Sequence, residues 1–230
     1  NGLATLVLRR EEAQTYGALK IDSSGRGGQF LSTPSKDGGP PAMEAMFTGV
    51  QVLNRRALER IPEGRHWDSA EELYPVLMRE GASLYGYIMG GEWIDMGTPK
   101  RYLEANFLAM NSLFFTAAGE REDTGVRERP GVHPAVMSEV GWKPPILLGE
   151  GCMLEEGSVV GPNLVMGDGC RVGRGARIDN CVVWEGVEIG RDSSLKGSIL
   201  TGGVNIPPRS VIEESMVVRD RDGVLSFHPI

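Results

Sequence analysis

The three cysteines of this sequence could do chemistry, because thiols can bind a metal or form a disulfide. Cys152, Cys170 and Cys181 are too few and too close together for a disulfide framework, and none belongs to a Cys-x-x-Cys pair. Cys152 and Cys170 are eighteen residues apart, which leaves a zinc site or a disulfide open as an alternative. We predict three reduced thiols, of which Cys152 and Cys170 fill equivalent small positions of a repeating structure.

One aspartate precedes a strong helix-start signal. Asp95 lies in the segment Trp93-Ile94-Asp95-Met96-Gly97-Thr98-Pro99, which predicts a strand end, a turn and then a helix. Thr98 is a favourable N-cap and Pro99 a favourable first helical residue. Judged by its chemistry alone, Asp95 would stabilise the N-terminus of that helix. We expect the apolar face of the helix to contain Tyr102, Ala105, Leu108 and Ala109.

The elements around these residues indicate an α/β domain. Short apolar runs predict strands over residues 5–8, 46–53 and 84–89, and a hairpin over 18–31 that turns at 23–27. A short helix is expected near 55–60, and Ser69 with Glu72 forms a capping box for a helix that ends near residue 80. Residues 112–145 are polar and proline-rich. We therefore predict a first domain over 1–113, a linker over 114–145 and a second domain over 146–230.

The second domain carries a repeat with a period of six. The repeated apolar residues are Leu148, Leu154, Val160, Met166, Val172, Ile178, Val183, Ile189, Leu195, Leu200, Ile206, Ile212 and Val217. Three steps are five residues long, at 178–183, 195–200 and 212–217. Four positions after most of these sites the residue is small, with Leu164 as an exception. This pattern predicts a triangular prism of short strands, with apolar residues pointing inward and small residues at crowded corners.

Composition excludes some classes of partner. The formal charge is −7 with no long run of either sign, which argues against a nucleic-acid or anionic-membrane binder. No apolar run approaches the roughly 20 residues that a bilayer-spanning helix needs. We expect a cytoplasmic protein. The chain opens without an initiator Met, so we also expect it to begin inside a larger protein.

The prism resembles the left-handed β-helix of two families, the hexapeptide acyltransferases and the nucleotidyltransferases. Acyltransferases of this kind use a catalytic histidine on the coils. His66, His133 and His228 all lie outside residues 148–217, so an acyltransferase here would lack its base and is the remote alternative.

Four motifs of the first domain favour the second family. In chain order they are Tyr16-Gly17-Ala18-Leu19-Lys20-Ile21-Asp22, Gln29-Phe30-Leu31-Ser32-Thr33-Pro34, Phe47-Thr48-Gly49-Val50 and Trp93-Ile94-Asp95-Met96-Gly97-Thr98-Pro99. Together they resemble the second half of the NDP-sugar pyrophosphorylase (sugar-1-phosphate nucleotidyltransferase) catalytic domain, in particular that of mannose-1-phosphate guanylyltransferases. The resemblance implies the second half of a Rossmann-like domain, followed by an all-β left-handed parallel β-helix of hexapeptide repeats.

The resemblance also implies an activity and a site. Such enzymes join a nucleoside triphosphate to a sugar 1-phosphate and release pyrophosphate, with Mg²⁺ held by two aspartates. It places one of these aspartates at Asp95, and sugar contacts at Gly17, Thr48 and Gly49. For Gly17 the alternative is a plain turn glycine, and for Thr48 an ordinary strand residue. GDP-mannose is the leading product, and we expect a homo-oligomer that assembles through the β-helix.

Two departures from the family pattern keep a second interpretation open. The family often has Glu-Lys-Pro where this chain has Ser32-Thr33-Pro34, and Lys36 as a substitute is more simply a solvated loop residue. Nothing matches the glycine-rich loop that holds the triphosphate, since Gly25-Arg26-Gly27-Gly28 is better explained as a hairpin turn. We therefore expect the chain alone to be inactive. The alternative function is a non-catalytic regulatory homologue that binds nucleotide sugar.

Overall fold

The structure is a computed structural model that describes residues 2–10, 17–111, 119–120, 127–128, 135–136 and 139–230. Contacts divide the chain into two compact units, Asn1–Trp93 and Ile94–Ile230, each with its own hydrophobic core. The predicted first domain, 1–113, extends further than the first unit, because the helix that follows Thr98 packs within the second unit. None of the helices among the described residues is both long and apolar enough to span a membrane.

A six-stranded mixed sheet forms the centre of the first unit. Its strands are β1 (Ala4–Arg9), β2 (Ala18–Ile21), β3 (Gly27–Phe30), β4 (Thr33–Pro34), β5 (Met43–Leu53) and β6 (Leu84–Ile88). Their order is β4-β3-β2-β5-β1-β6, and all neighbours are antiparallel except β1 and β6, which are parallel. Along β1, Ala4, Leu6 and Leu8 are buried while the alternate residues are half-buried, as expected when one face of a strand is covered. The predicted strands and hairpin are confirmed.

Hydrogen bonds to the Asp22 side chain stabilise the turn between β2 and β3. Asp22 Oδ1 accepts hydrogen bonds from the Ser24 hydroxyl at 2.6 Å, the Ser24 N–H at 2.8 Å and the Arg26 N–H at 3.1 Å. These bonds, the Ser24 hydroxyl first, hold the pKa of Asp22 below its usual value. Gly25 adopts a φ of +82°, which an L-residue rarely adopts. The turn predicted for Gly25-Arg26-Gly27-Gly28 is therefore confirmed at its start, while Gly27 and Gly28 already belong to β3.

Short helices cover one face of this sheet. They are α1 (Arg55–Leu58), a π-helical turn (Ser69–Leu73) and α2 (Tyr74–Arg79). The predicted cap at Ser69 is wrong by one residue, because Asp68 accepts from the N–H groups of Ala70 and Glu71 at 2.7 and 2.8 Å. Glu72 Oε2 in turn accepts a hydrogen bond from the Asp68 N–H at 2.7 Å. A carboxylate is both a good N-cap acceptor and favoured by the helix dipole, so it wins over the neighbouring hydroxyl.

Three aromatic rings join α2 to the sheet. Tyr74, Phe30 and Phe47 pack edge to face, with ring centroids 5.1, 5.8 and 6.1 Å apart. Each ring is at most 5% exposed, so the three account for a large share of the apolar area buried in this unit. They fix β3 and β5 against the helix and thereby position the ends of these strands.

The second unit begins with the segment that leads to α3 (Pro99–Asn111). Thr98 Oγ1 accepts from the Arg101 N–H at 3.3 Å, which confirms the predicted cap. The predicted apolar face is confirmed at Tyr102, which packs against Leu103, Val182 and Ile199, but it omits the residues that are most buried. Leu103 and Met110 are the buried residues of the helix, and Phe107 and Leu103 pack with Val182 and Ile199 of the β-helix. Residues 103, 107 and 110 share one face at helical spacing, and Leu103 and Met110 are its buried members, whereas Ala105, Leu108 and Ala109 are half-buried.

The β-helix is built from three sheets. One contains β10 (Gly141–Trp142), β13 (Val159–Val160), β16 (Arg177–Asp179), β19 (Ser194–Lys196) and β22 (Val211–Glu213). Another contains β9 (Ala135–Val136), β12 (Met153–Leu154), β15 (Arg171–Val172), β18 (Glu188–Ile189) and β21 (Asn205–Ile206). The third contains β7 (Gly119–Glu120), β8 (Arg127–Glu128), β11 (Ile146–Leu148), β14 (Leu164–Met166), β17 (Cys181–Val183), β20 (Ile199–Leu200), β23 (Ser215–Arg219) and β24 (Leu225–Pro229).

The inward orientation predicted by the repeat is confirmed at every position of the series. All thirteen apolar positions of the series are at most 5% exposed and form the core of the β-helix. Strands in one face pair in parallel with an offset of eighteen residues, as for Ile146 and Leu164, and then of seventeen, as for Leu164 and Cys181. The shorter coils lose one residue at a single corner, where Asn180, Gly197 and Glu214 adopt positive φ values of 52°, 58° and 44°.

The β-helix extends beyond its predicted limits. Strands β8, β9 and β10 pair in parallel with β11, β12 and β13, so its sheets start before residue 146, inside the stretch predicted to be a linker. At the other end, β24 returns antiparallel to β23, and the Ile230 N–H donates to Glu214 O at 2.9 Å. The C-terminal tail therefore covers the edge of one face at the last coil.

Candidate functional site

Thr48 and Gly49 lie in a wide bulge of β5. Leu6 of β1 faces Gln51 and Leu8 faces Phe47, so Val7 alone faces residues 48–50. Thr48 Oγ1 donates to Val7 O at 2.9 Å and accepts from the Val50 N–H at 3.3 Å. Gly49 adopts a φ of +83°, and a Cβ added there would meet nothing within 4 Å. The backbone at Gly49 is therefore open, while the threonine hydroxyl is occupied by the backbone on both sides.

This geometry gives Thr48 a role that neither predicted interpretation contained. The residue is 7% exposed, and its hydroxyl links β1 to β5 at the one place where their ladder is interrupted. It is thus neither a plain strand residue nor a hydroxyl directed at solvent. A sugar contact at Thr48 stays a prediction, and Gly49 is the more accessible of the two.

Gly17 lies at the same end of the sheet, at the start of β2. Its carbonyl accepts from the Phe47 N–H at 3.0 Å, one residue before Thr48. Its φ is +90°, and a Cβ there would come within 3.2 Å of Leu31 Cδ2. Both the backbone angle and the neighbouring leucine favour glycine at this position. The structure therefore brings Gly17 and the Thr48–Gly49 bulge together on adjacent strands.

The Ser32-Thr33-Pro34 segment follows Leu31 directly and so lies beside Gly17. Leu31 donates its N–H to Ala18 O at 2.8 Å, and Thr33 pairs with Phe30. This segment carries no charged side chain in the position where the family often has a carboxylate and a lysine. Lys36, three residues after Thr33, is exposed, which agrees with a solvated loop residue.

A pocket opens at the carboxyl ends of the parallel strands β1 and β6. Its volume is about 490 Å³, and it is lined by Arg9, Arg10, Ile88, Met89, Gly90 and Gly91. Sequence reasoning missed it, although two arginines directly after a buried strand are a recognisable signal. The pocket depends on β6, whose residues pair with β1 residues eighty positions earlier in the chain.

Asp95 belongs to the second unit and lies in the segment before α3. It is half-buried, and a Cβ added at Gly97 would come within 2.9 Å of Asp95 Oδ2. The carboxylate thus lies over Gly97, where a larger residue would displace it. Thr98 provides the N-cap of α3, and stabilisation of the helix N-terminus stays the alternative role for Asp95. Its predicted role as a metal ligand stays a prediction.

The described residues contain no cluster of three or more His, Cys, Asp or Glu side chains that would hold a metal ion. Mg²⁺ does not require such a cluster, because it commonly binds one or two carboxylates together with substrate phosphates and water. A single half-buried aspartate therefore fits a shared Mg²⁺ site and would supply one of its ligands.

The cysteines are free thiols buried in the β-helix. The thiols of Cys152, Cys170 and Cys181 donate to the carbonyls of Gly167, Trp184 and Asp179 at 3.0–3.1 Å. The neighbouring Cys152 thiol and burial raise the pKa of Cys170, and burial raises the pKa of Cys181 to about 12. They are small residues inside the coils, as predicted. Two further residues named in the sequence analysis, Tyr16 and His133, lie outside the described part of the chain.

Two family models match this chain. The model described as nucleotidyl transferase matches residues 1–112, and the model described as the GMPPB C-terminal domain matches residues 142–224. The two matches fall on the α/β sheet with the segment that contains Asp95, and on the β-helix. They cover the motifs and the repeat that the sequence interpretation used.

The chain is also similar to individual proteins. The UTP–glucose-1-phosphate uridylyltransferase of Synechocystis sp. is 24% identical over 80% of this chain and 48% of its own length. The mannose-1-phosphate guanylyltransferase of Mycobacterium tuberculosis is 25% identical over 78% of this chain and 44% of its own length. The glucose-1-phosphate adenylyltransferase of Desulfitobacterium hafniense is 27% identical over 80% and 47%.

The chain spans about half the length of these relatives. They differ in the base and the sugar that their names state, and they share the transfer of a nucleotidyl group to a sugar 1-phosphate. The two family matches, the ordered motifs and the confirmed β-helix lead to one conclusion: the chain belongs to the family of sugar-1-phosphate nucleotidyltransferases.

Proposed function

We propose that the full-length protein joins a nucleoside triphosphate to a sugar 1-phosphate and releases pyrophosphate, with GDP-mannose as the leading product. The match of the β-helix to the GMPPB C-terminal domain carries the choice of product. Several similar proteins are named mannose-1-phosphate guanylyltransferases, which supports it further. The proposal extends to the whole protein, of which this chain would supply the sugar side of the site.

In this reaction an oxygen of the sugar phosphate attacks the α-phosphorus in line, and the protein mainly positions the reactants and neutralises charge. We assign Gly17 and Gly49 to the sugar, because Gly49 offers open backbone and Gly17, which bonds to Phe47, lies beside it on the adjacent strand. We assign Asp95 to Mg²⁺. The bound ion would neutralise charge on the phosphates, and Gly97 keeps space for the carboxylate that holds it.

The test combines a substrate panel with one substitution. Full-length protein is assayed for pyrophosphate release from GTP with mannose 1-phosphate, UTP with glucose 1-phosphate and ATP with glucose 1-phosphate. We expect the first pair to be preferred. Asp95→Asn should lower kcat/KM by roughly 100-fold or more, since it removes a charge that stabilises the transferring phosphoryl group.

The matched control is Glu92→Gln, which deletes a negative charge from an exposed residue three positions before Asp95. It should retain activity. If the Asp95→Asn variant keeps the wild-type rate, the assignment of Asp95 as a metal ligand is wrong. If the protein prefers another pair of substrates, GDP-mannose is not its main product.

A second candidate function rests on the Ser32-Thr33 segment. Because the position beside Gly17 lacks the charged pair common in the family, a regulatory homologue that binds nucleotide sugar without turnover is the alternative. Calorimetry with GDP-mannose separates the two. Tight binding of the product-like ligand with no pyrophosphate release from any pair would support the regulator.

A further inference from the structure

The carboxyl ends of β1 and β6 form an unassigned pocket at the edge of the sheet. The two strands are parallel and in register up to Leu8 and Ile88, and the Met89 N–H donates to Leu8 O at 2.9 Å. Beyond this bond the two strands diverge, and a pocket of about 490 Å³ lies between them. Ligands of α/β sheets bind at the carboxyl ends of parallel strands, where the backbone diverges in this way.

Two arginines give the pocket a positive charge. Arg9 is half-buried, and its guanidinium donates from Nη1 to the carbonyl of Gly91, which orients the side chain across the pocket. Arg10 is exposed at the rim, and it forms no ion pair with a carboxylate among the described residues. An oriented guanidinium presents its N–H groups as a fork that matches the oxygens of a phosphate.

The opposite wall of the pocket is open backbone. A Cβ added at Gly90 or Gly91 would meet nothing within 4 Å, and Gly91 has a φ of +88°. A ligand can therefore approach the main chain closely at these two residues. Such close approach to glycine backbone is typical of sites that hold a phosphate group.

The strand register relates this pocket to the predicted sugar contacts. Arg9 faces Met46 of β5, and Met46 faces Ala18 of β2 on its other side. At the usual strand spacing, Arg9 and the start of β2 are about 10 Å apart along one row. Gly17 immediately precedes that row and bonds to Phe47, which faces Leu8, so Gly17 at the amino end of β2 is level with the last residues of β1.

We propose that Arg9 and Arg10 bind a phosphate group of the substrate, which we take to be that of the sugar 1-phosphate. They would provide the positive charge that Ser32-Thr33 cannot provide beside Gly17. The inference rests on the proposed function for the identity of the ligand and on the pocket for its location. The second source of the same chemistry is a phosphate of the nucleoside triphosphate.

The experiment measures binding and not turnover. Isothermal titration calorimetry of the full-length protein is performed with mannose 1-phosphate and, separately, with GTP. Each lost contact to a charged group should weaken binding roughly 10-fold or more, so Arg9→Met and Arg10→Met should each raise the Kd for mannose 1-phosphate. Arg9→Lys should fall between wild type and Arg9→Met, because it keeps the charge but loses the fork.

The chain contains a matched control pair. Arg55 and Arg56 are also adjacent, and both are exposed on α1. Arg55→Met with Arg56→Met removes the same charge and should leave both Kd values unchanged. A change for GTP alone would assign the pocket to the nucleotide phosphates in place of the sugar phosphate. Unchanged binding of both ligands by folded Arg9→Met and Arg10→Met would overturn the proposal.

Two outcomes separate this proposal from the proposed function. If mannose 1-phosphate binding depends on Arg9 while no nucleoside triphosphate yields pyrophosphate, the phosphate pocket stands and the catalytic function fails. If pyrophosphate is released and the arginine variants keep the wild-type KM for the sugar phosphate, the function stands and the pocket fails.

Discussion

Thr48 illustrates how a side chain within a family motif can act on the backbone of its own protein. Its hydroxyl bridges Val7 and Val50 where β5 bulges, and the bulge in turn exposes Gly49. The sequence predicts that Thr48 lies in a strand, but it does not predict the bulge. The bulge depends on pairing with β1, whose Val7 is forty-one residues earlier in the chain, and local propensity does not report such distant pairing.

Loss of the hydroxyl should therefore destabilise the first unit. Thr48→Val keeps the shape but leaves the Val7 carbonyl and the Val50 N–H without this partner, which should cost about 1 kcal/mol in the free energy of unfolding. Thr48→Ser keeps the hydroxyl and should cost less. Denaturant unfolding of the two variants provides the comparison. A larger loss for serine than for valine would show that methyl packing, and not the bridge, matters at this position.

The β-helix is the element that the sequence determines most completely. Each coil repeats the same contacts, so the local spacing of Leu154, Val160 and Met166 already states which residues face inward. The side of α3 that is buried is less evident, because Tyr102, Leu108 and Phe107 are all apolar and only the position of its neighbour distinguishes them. The pocket at Arg9 is equally hard to predict from the sequence, because it exists only once β6 has paired with β1.

A charge inside a coil should unfold the second unit. Leu154 is fully buried in the β-helix core, so Leu154→Asp should cost more than about 4 kcal/mol through the lost leucine packing and the unpaired charge. Far-UV circular dichroism and thermal melting would report the loss. The control is Val211→Asp on β22, where the side chain is 73% exposed, and this variant should melt like wild type. An unchanged Leu154→Asp spectrum would contradict the inward register.

At the level of the whole molecule, the final coil presents apolar surface and a strand edge. Phe227 of β24 is 55% exposed, and β24 ends its sheet. Edge strands with exposed apolar residues tend to pair with another chain. We propose that the full-length protein self-associates through the β-helix, as the sequence led us to expect, with β24 at the contact.

Sedimentation velocity tests this proposal over a range of protein concentrations. Wild-type protein should sediment as an oligomer, and Phe227→Asp should shift it toward the monomer, because the contact would have to bury a charge. Leu58→Asp, an equivalent change at a residue that is 49% exposed on α1, should leave the oligomer intact. Strictly monomeric wild-type protein at high concentration would contradict self-association.

The one-residue difference between coils has a consequence for how this architecture tolerates changes in chain length. Gly161, Pro162 and Asn163 separate two inward positions at the corner of the longer coil, and only Asp179 and Asn180 do so in the next, yet Val160 and Ile178 both remain buried. An insertion inside a strand would instead reverse which side chains face the interior. This edge of the prism is thus where natural insertions can accumulate and where a peptide can be grafted without repacking the interior.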